Sequence, residues 1–436
     1  MPAFDSRIGF AFLLVITTMW GSASSGTAQD RVEFLSGAKL QGKILQIRKD
    51  AKEFDIETML GGRKFTRTYP YSKVHAVTIG DKRFELTPMS PTGTANSSQS
   101  EPDADSPPVR SQKQVQQLID QAGQTLPDWF ESTQLDYPNT LDLSWPLKAT
   151  GPWNGRKNVG QHLWDTISPN RRRWHSGIKL IHHCLSLHSD PALQQRDKEK
   201  LGNLYFTLLQ DYPRAAYWYQ QANTTVAKPD GIHLAECYWR MGNSKMALDL
   251  LDSRLMSMDA VKLLGDMGHL DQAIRAAQPY LGSAMDNQTL LALGDAARTN
   301  QKTDAAIAYY QNVLSNDNFR NQEYKDRLQA RARQSIDAIR LRDAADPAKV
   351  PDGTFTDRST GYNGNVEVEV KVASGQIQSV NVTKHREKQF YAALDDVPRQ
   401  IIRRQSIEGI DGTSGATITA EAIVHATAKA LAGASR

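Results

Sequence analysis

The sequence predicts a multidomain protein in which a small all-β N-terminal domain, an α-helical solenoid of repeats and a C-terminal α+β domain follow one another. Three observations carry this. Residues 31–88 alternate apolar and polar side chains in a period of two, as at Val32/Phe34, Phe54/Ile56 and Val77/Ile79. Residues 198–314 repeat a unit of helix, short turn and second helix. Residues 364–382 return to strict alternation before two helical stretches. A chain of 436 residues exceeds what one ordinary core organises, so separate domains are expected.

The first element reads as a targeting segment over residues 1–28. Arg7 gives a weak positive start, residues 8–20 are a short apolar run, and small residues lead to Thr27-Ala28-Gln29. A run this short fits a signal peptide better than a membrane span, although Asp5 blunts the charge pattern and an uncleaved anchor is the alternative. Export to the periplasmic or extracytoplasmic side of a membrane is therefore expected. The alternating segment that follows breaks at Ser36-Gly37, Lys49-Asp50, Gly61-Gly62 and Gly80-Asp81, the pattern of a small β-barrel or sandwich. Its excess of Lys and Arg reads as solvated surface rather than as a docking face. Residues 89–108 are rich in Pro, Ser and Asp and nearly free of large apolar side chains, so they read as a linker.

From residue 109 to 345 the period turns helical. Trp129, Trp145, Trp153, Trp164 and Trp174 fall among many prolines. These rings read as packing for irregular chain rather than as a glycan platform, because aromatics dominate core burial. Within the repeats, Ala216, Ala247, Ala273 and Ala306 open the second helix of successive units at spacings near the period of about 34 residues of tetratricopeptide repeats, with the unit at Ala273 shortened. The segment resembles a tetratricopeptide-type solenoid. That resemblance implies a surface for a redox partner or an envelope complex, with no chemistry of its own.

Composition excludes several classes. A net charge of +4 is too small and too dispersed for a nucleic-acid face. Cys184 and Cys237 are the only cysteines, in no C-x-x-C or C-x-x-C-H pattern. This removes c-type haem attachment, thiolate-held iron–sulfur clusters and cysteine-rich zinc sites. His182, His183, Cys184 and His188 cluster on a predicted helix and read as core-helix residues rather than metal ligands.

The informative segment is Asp411-Gly412-Thr413-Ser414-Gly415-Ala416-Thr417-Ile418-Thr419. It is a polar, Gly-containing turn feeding the last predicted helix. Glycines allow close backbone approach, and free N–H groups at a helix start seat an anion. The first seven of these residues, Asp411 to Thr417, resemble the flavinylation motif of the FMN-binding domain family, which includes subunits of the Rnf and sodium-pumping NADH:quinone oxidoreductase complexes. The resemblance covers residues 352–432. Its blocks fall in order: Asp352-Gly353-Thr354-Phe355, Gly361-Tyr362-Asn363-Gly364, Ser374-Gly375-Gln376-Ile377, His385-Arg386-Glu387 and the helix before the motif. Lys388-Gln389-Phe390 stands where many members have Thr-Pro-Gly.

The resemblance assigns residues 351–436 to an FMN-binding domain. It implies FMN held as a phosphoester on Thr417, attached by a flavin transferase that uses FAD and Mg²⁺. Asp411 would be the residue the transferase recognises. Ser414, Gly415 and Ala416 would line the phosphate turn, Thr419 would cap the helix or bond a phosphate oxygen, and His385 and Glu387 would touch the ring or fix the strand end. The expected function is an exported one-site electron carrier. An interaction scaffold with a structural or loosely flavin-binding C-terminal domain is the alternative.

Overall fold

The computed structural model describes residues 30–34, 39–60, 63–80, 82–87, 108–148 and 153–435. The expected targeting segment, and the expected linker apart from Pro108, lie outside these. The chain divides into two compact units, residues 1–99 and 100–436. Among the described residues, no helix is long and apolar enough to cross a membrane.

The first unit is a six-stranded antiparallel sheet of β1 (Asp30–Phe34), β2 (Lys39–Arg48), β3 (Glu53–Leu60), β4 (Arg63–Pro70), β5 (Val74–Ile79) and β6 (Lys82–Glu85) in the order β4-β3-β2-β1-β5-β6. Val32, Phe54, Ile56, Val74 and Val77 form its buried cluster. Phe54 and Ile56 follow the period of two, while a register shift between β1 and β5 at Glu33/Phe34 accompanies the joint burial of Val74 and Val77. A register shift between Ile44 and Gln46 bends the long strand β2.

The second unit begins with α1 (Gln112–Gln124), started by a reciprocal capping box between Ser111 and Gln114. The short helices α2 (Trp129–Ser132) and α3 (Val159–His162) then lead into α4 (Trp174–Leu187). Three of the five tryptophans pack this irregular stretch. Trp145 and Trp174 are buried, and the Trp129 ring stacks on His175 at 4.1 Å. Trp153 and Trp164 are exposed.

Four helix pairs follow: α5 (Pro191–Leu204) with α6 (Tyr212–Gln221), α7 (Pro229–Arg240) with α8 (Ser244–Leu251), α9 (Asp259–Asp266) with α10 (Leu270–Ala277), and α11 (Asp286–Thr299) with α12 (Thr303–Ser315). Ala216, Ala247, Ala273 and Ala306 are all fully buried. Two pairs close through the same device. A Cβ on Gly202 would lie 2.6 Å from the Tyr219 ring, and one on Gly294 would lie 2.3 Å from the Tyr310 ring. Glycine on the first helix thus makes room for tyrosine on the second. The third pair is short, eight residues per helix, as the spacing around Ala273 suggested. Cys184 and Cys237 are buried free thiols.

The long helix α13 (Gln322–Leu341) passes from this array to the C-terminal layer. There β7 (Gly353–Thr360), β8 (Asn365–Ala373) and β9 (Gln376–Lys384) form a meander, followed by α14 (Ala393–Arg404) and α15 (Thr417–Ala434). Ser374 and Gly375 both have positive φ, as a tight primed hairpin requires. Alternation places Val366, Val368, Val370 and Val372 in the core. Burying each contributes about 1.5–3 kcal/mol. Helix α15 has no polar face: from Thr419 to Ala428 every residue is buried. It lies against β7 and β8 on one side and α13 on another, so both layers share it.

Candidate functional site

The motif turn is held before it begins. Gln400, on α14, clasps the Asp411 backbone: the Asp411 N–H donates to Gln400 Oε1 at 2.8 Å, and Gln400 Nε2 donates to the Asp411 carbonyl at 2.9 Å. The chain then folds back so that the Ala416 N–H reaches the Thr413 carbonyl at 2.9 Å. Gly415 turns the corner at φ +79°, and two Tyr391 ring carbons lie 3.1 and 3.4 Å from where its Cβ would be. Both the backbone angle and the ring exclude a side chain there.

The turn delivers the start of α15 without a cap. Ala416 occupies the capping position and makes no side-chain bond. The N–H groups of Thr417, Ile418 and Thr419 meet no acceptor among the described residues. These are the orphan donors of a helix start, and the dipole behind them favours an anion.

The four hydroxyls of the motif part company. Thr413 donates to Asp396 at 2.9 Å, Ser414 donates to Glu236 of α7 at 2.7 Å, and Thr419 donates to Glu387. The half-buried Thr417 hydroxyl has no partner among the described residues.

Asp411 is enclosed by the helical array. Arg240 of α7 and Lys262 of α9 both bind its carboxylate, Lys262 at 2.8 Å. Burial pushes the Asp411 carboxyl up, but the two cations outweigh burial and hold it well below the usual range. Lys262 also pairs with Asp266, whose pKa is pushed up by burial and by the neighbouring Asp411 charge. One turn into α15, Glu421 receives a two-pronged hydrogen bond from Arg298 of α11 at 3.0 and 2.8 Å. Burial again acts upward on Glu421, and Arg298 overrides it, lowering the pKa.

These depressed values have a pH consequence. Stability from Asp411 and Glu421 is fully present above their ordinary pKa values of 3.8 and 4.5 and is lost as pH falls toward the folded values. Burial lowers the pKa of His162, His182 and His233 from 6.5, so unfolding takes up protons as pH falls through about 6.5. The unfolding temperature of the second unit is expected to decline from there and to fall more steeply below about pH 4, where the two carboxylates add their loss. Calorimetry across that range checks it; an unfolding temperature that does not drop in acid would remove these carboxylates from the interface energetics.

Glu387 and His385 separate. Glu387 is buried, and its carboxylate accepts from the Tyr362 N–H at 3.1 Å, the Asn363 N–H at 2.9 Å and the Thr419 hydroxyl. It ties the glycine turn after β7 to the start of α15, which is the strand-end role. Thr419 therefore points at Glu387. His385 is exposed and packs edge-on against Phe390 at 5.2 Å. It lines a cleft of about 430 Å³ with Tyr391, Leu394 and, from the helical array, Arg171 and Trp174. Tyr391 has φ +46°, an unfavourable backbone for a bulky residue that costs about 1–3 kcal/mol. The Ala392 N–H, bonded to the Thr207 carbonyl at 3.1 Å, helps to hold it.

Sequence reading missed the array's share of the site: Glu236, Arg240, Lys262 and Arg298. Their partners lie 123 to 178 positions away, so no local spacing reports them. Tyr391 carried no signal either, since its strain exists only in the fold.

The described geometry fits a phosphate monoester at this helix start: free N–H donors, an unengaged hydroxyl, and a glycine corner that keeps side chains out. The profile of the FMN-binding domain family matches residues 361–432. An uncharacterized protein of Treponema pallidum (strain Nichols) is 36% identical over 87 residues, which covers 20% of this chain and 24% of that protein. No solved structure matches. Residues 361–432 are thus an FMN-binding domain, and FMN is the cofactor it supports.

Proposed function

We propose that this protein is an exported flavoprotein that carries electrons on FMN esterified through its phosphate to Thr417. The observation that carries the reading is the contrast among the motif hydroxyls. Thr413, Ser414 and Thr419 are each committed to a carboxylate, while Thr417 is free beside unpaired N–H donors. A phosphodiester formed there keeps one negative charge. The helix start stabilises such a charge by up to about 2 kcal/mol when partly buried.

Bound flavin supplies the redox chemistry, and the protein supplies position and electrostatics. The N–H groups of Thr417, Ile418 and Thr419 are suited to hold the phosphate, with Gly415 and Ala416 shaping the turn. Ser414 fixes the loop through Glu236. Asp411, read from the resemblance as the residue a flavin transferase recognises, is the loop's tie to Arg240 and Lys262 in the folded chain. Maturation by a transferase therefore requires either attachment before the two layers close or an opening of that contact. The tetratricopeptide-type reading of the helix pairs leaves the faces away from the flavin domain for a redox partner or an envelope complex.

The test is intact mass of the chain co-expressed with a flavin transferase in an exporting host. An increase equal to one FMN residue, with flavin emission that survives denaturation, is expected. A colourless protein of unmodified mass would leave the scaffold reading in its place.

A further inference from the structure

We propose that the helical array supplies one wall of the flavin site, so that the isoalloxazine ring lies in the cleft between Trp174 and Arg171 of the array and His385, Phe390 and Tyr391 of the flavin domain. This rests on FMN being attached at Thr417. Thr417 itself lines a small crevice with Lys262, Asp266 and Arg298, and the motif turn links it to the larger cleft. Gly415 is two residues from Thr417, and the Tyr391 ring sits against Gly415. The same Tyr391 lines the cleft. Its positive φ marks a side chain fixed there against backbone preference.

The walls suit a flat, largely apolar ring with polar edges. Trp174 is buried, its indole N–H is satisfied by the Ser168 carbonyl at 3.2 Å, and its ring centre lies 5.8 Å from that of Phe390 with the planes tilted by 39°. The Arg171 guanidinium lies 5.8 Å from the Trp174 ring centre and pairs with Asp395 at 2.5 Å, joining the two layers at the cleft. Arg172 also lines the cleft and has no partner among the described residues. A cation beside the ring favours its reduced, more negative form. A second cleft, of about 570 Å³, is lined by Arg298, Arg342, Arg404 and Glu408. Its charged walls offer no aromatic face for stacking.

The experiment uses the full chain matured with a flavin transferase, its adduct first counted by intact mass. Visible circular dichroism then reports whether the ring is held in a fixed asymmetric site, and a redox titration reports its potential. Wild type is expected to show a strong flavin band. Trp174→Ala should lower that band several-fold with the adduct retained. Arg171→Gln, at an exposed side chain that folding tolerates, should shift the midpoint to more negative potential because Asp395 is left beside the ring. Arg342→Glu, in the second cleft, should change neither.

A loaded wild type with the weak dichroism of free FMN overturns the inference and leaves the attachment standing. So does a response to Arg342→Glu with none to Arg171→Gln. If Trp174→Ala fails to fold, Arg171→Gln decides alone. Absence of any adduct in wild type defeats the attachment itself, and the inference with it.

Discussion

Thr417→Ala is expected to abolish covalent flavin completely while leaving the fold intact. The hydroxyl it removes bonds to no described residue, so its loss strands no partner. Alanine is the best helix former, and the first turn of α15 tolerates it. Stability should therefore stay within about 0.5 kcal/mol of wild type, the usual range for a substitution that breaks no named interaction. Thr413→Ala, Ser414→Ala and Thr419→Ala provide the contrast. Each releases a carboxylate, so each should perturb the loop without erasing attachment outright. The measurement is intact mass of the four variants after identical maturation, with chemical unfolding alongside. A full-size adduct on Thr417→Ala would move the attachment point elsewhere in the chain.

The second large effect concerns stability. Arg298→Ala leaves Glu421, which is almost wholly buried, without its two-pronged partner. Breaking a buried ion pair from one side costs about 3–5 kcal/mol, because the remaining charge is neither solvated nor paired. The double variant Arg298→Ala/Glu421→Ala removes the stranded charge and should recover a large part of that loss. A coupling of about 0.5–3 kcal/mol between the two sites is the expected outcome of the cycle. Guanidinium unfolding of the single and double variants measures it. If Arg298→Ala unfolds like wild type, the contact between α11 and α15 contributes nothing to holding the layers together.

What the sequence revealed, and what it hid, divide along physical lines. The alternation of Val366, Val368, Val370 and Val372 wrote β8 plainly, because a strand buried on one face has one allowed register. The hairpin at Ser374-Gly375 was equally legible, since few dipeptides tolerate two positive φ values. The buried alanines and the Gly202 and Gly294 contacts follow from the close approach of paired helices, which shows as a period. The motif turn leads into the last helix as expected, with α15 beginning at Thr417. By contrast, Asp411 read only as the residue a transferase recognises, and Glu387 as one that either touches the ring or fixes the strand end. Their carboxylates in fact answer to Arg240, Lys262 and a turn of backbone. A carboxylate looks the same in sequence whether it faces water, a ligand or a cation from a distant helix. Only the packing of α15 between two layers decides which.

That shared helix also governs how the molecule can be dissected. A cloning boundary drawn at residue 350, where the domains part in the sequence, would take α15 away from α13 and bare its far side to solvent. It would also leave Asp411, Glu421 and His425 without Arg240, Lys262, Arg298 and Asp337. The excised fragment would keep its hydroxyl acceptor but lose the scaffold that orients it. The smallest honest unit for handling this flavin domain is therefore the whole of residues 100–436.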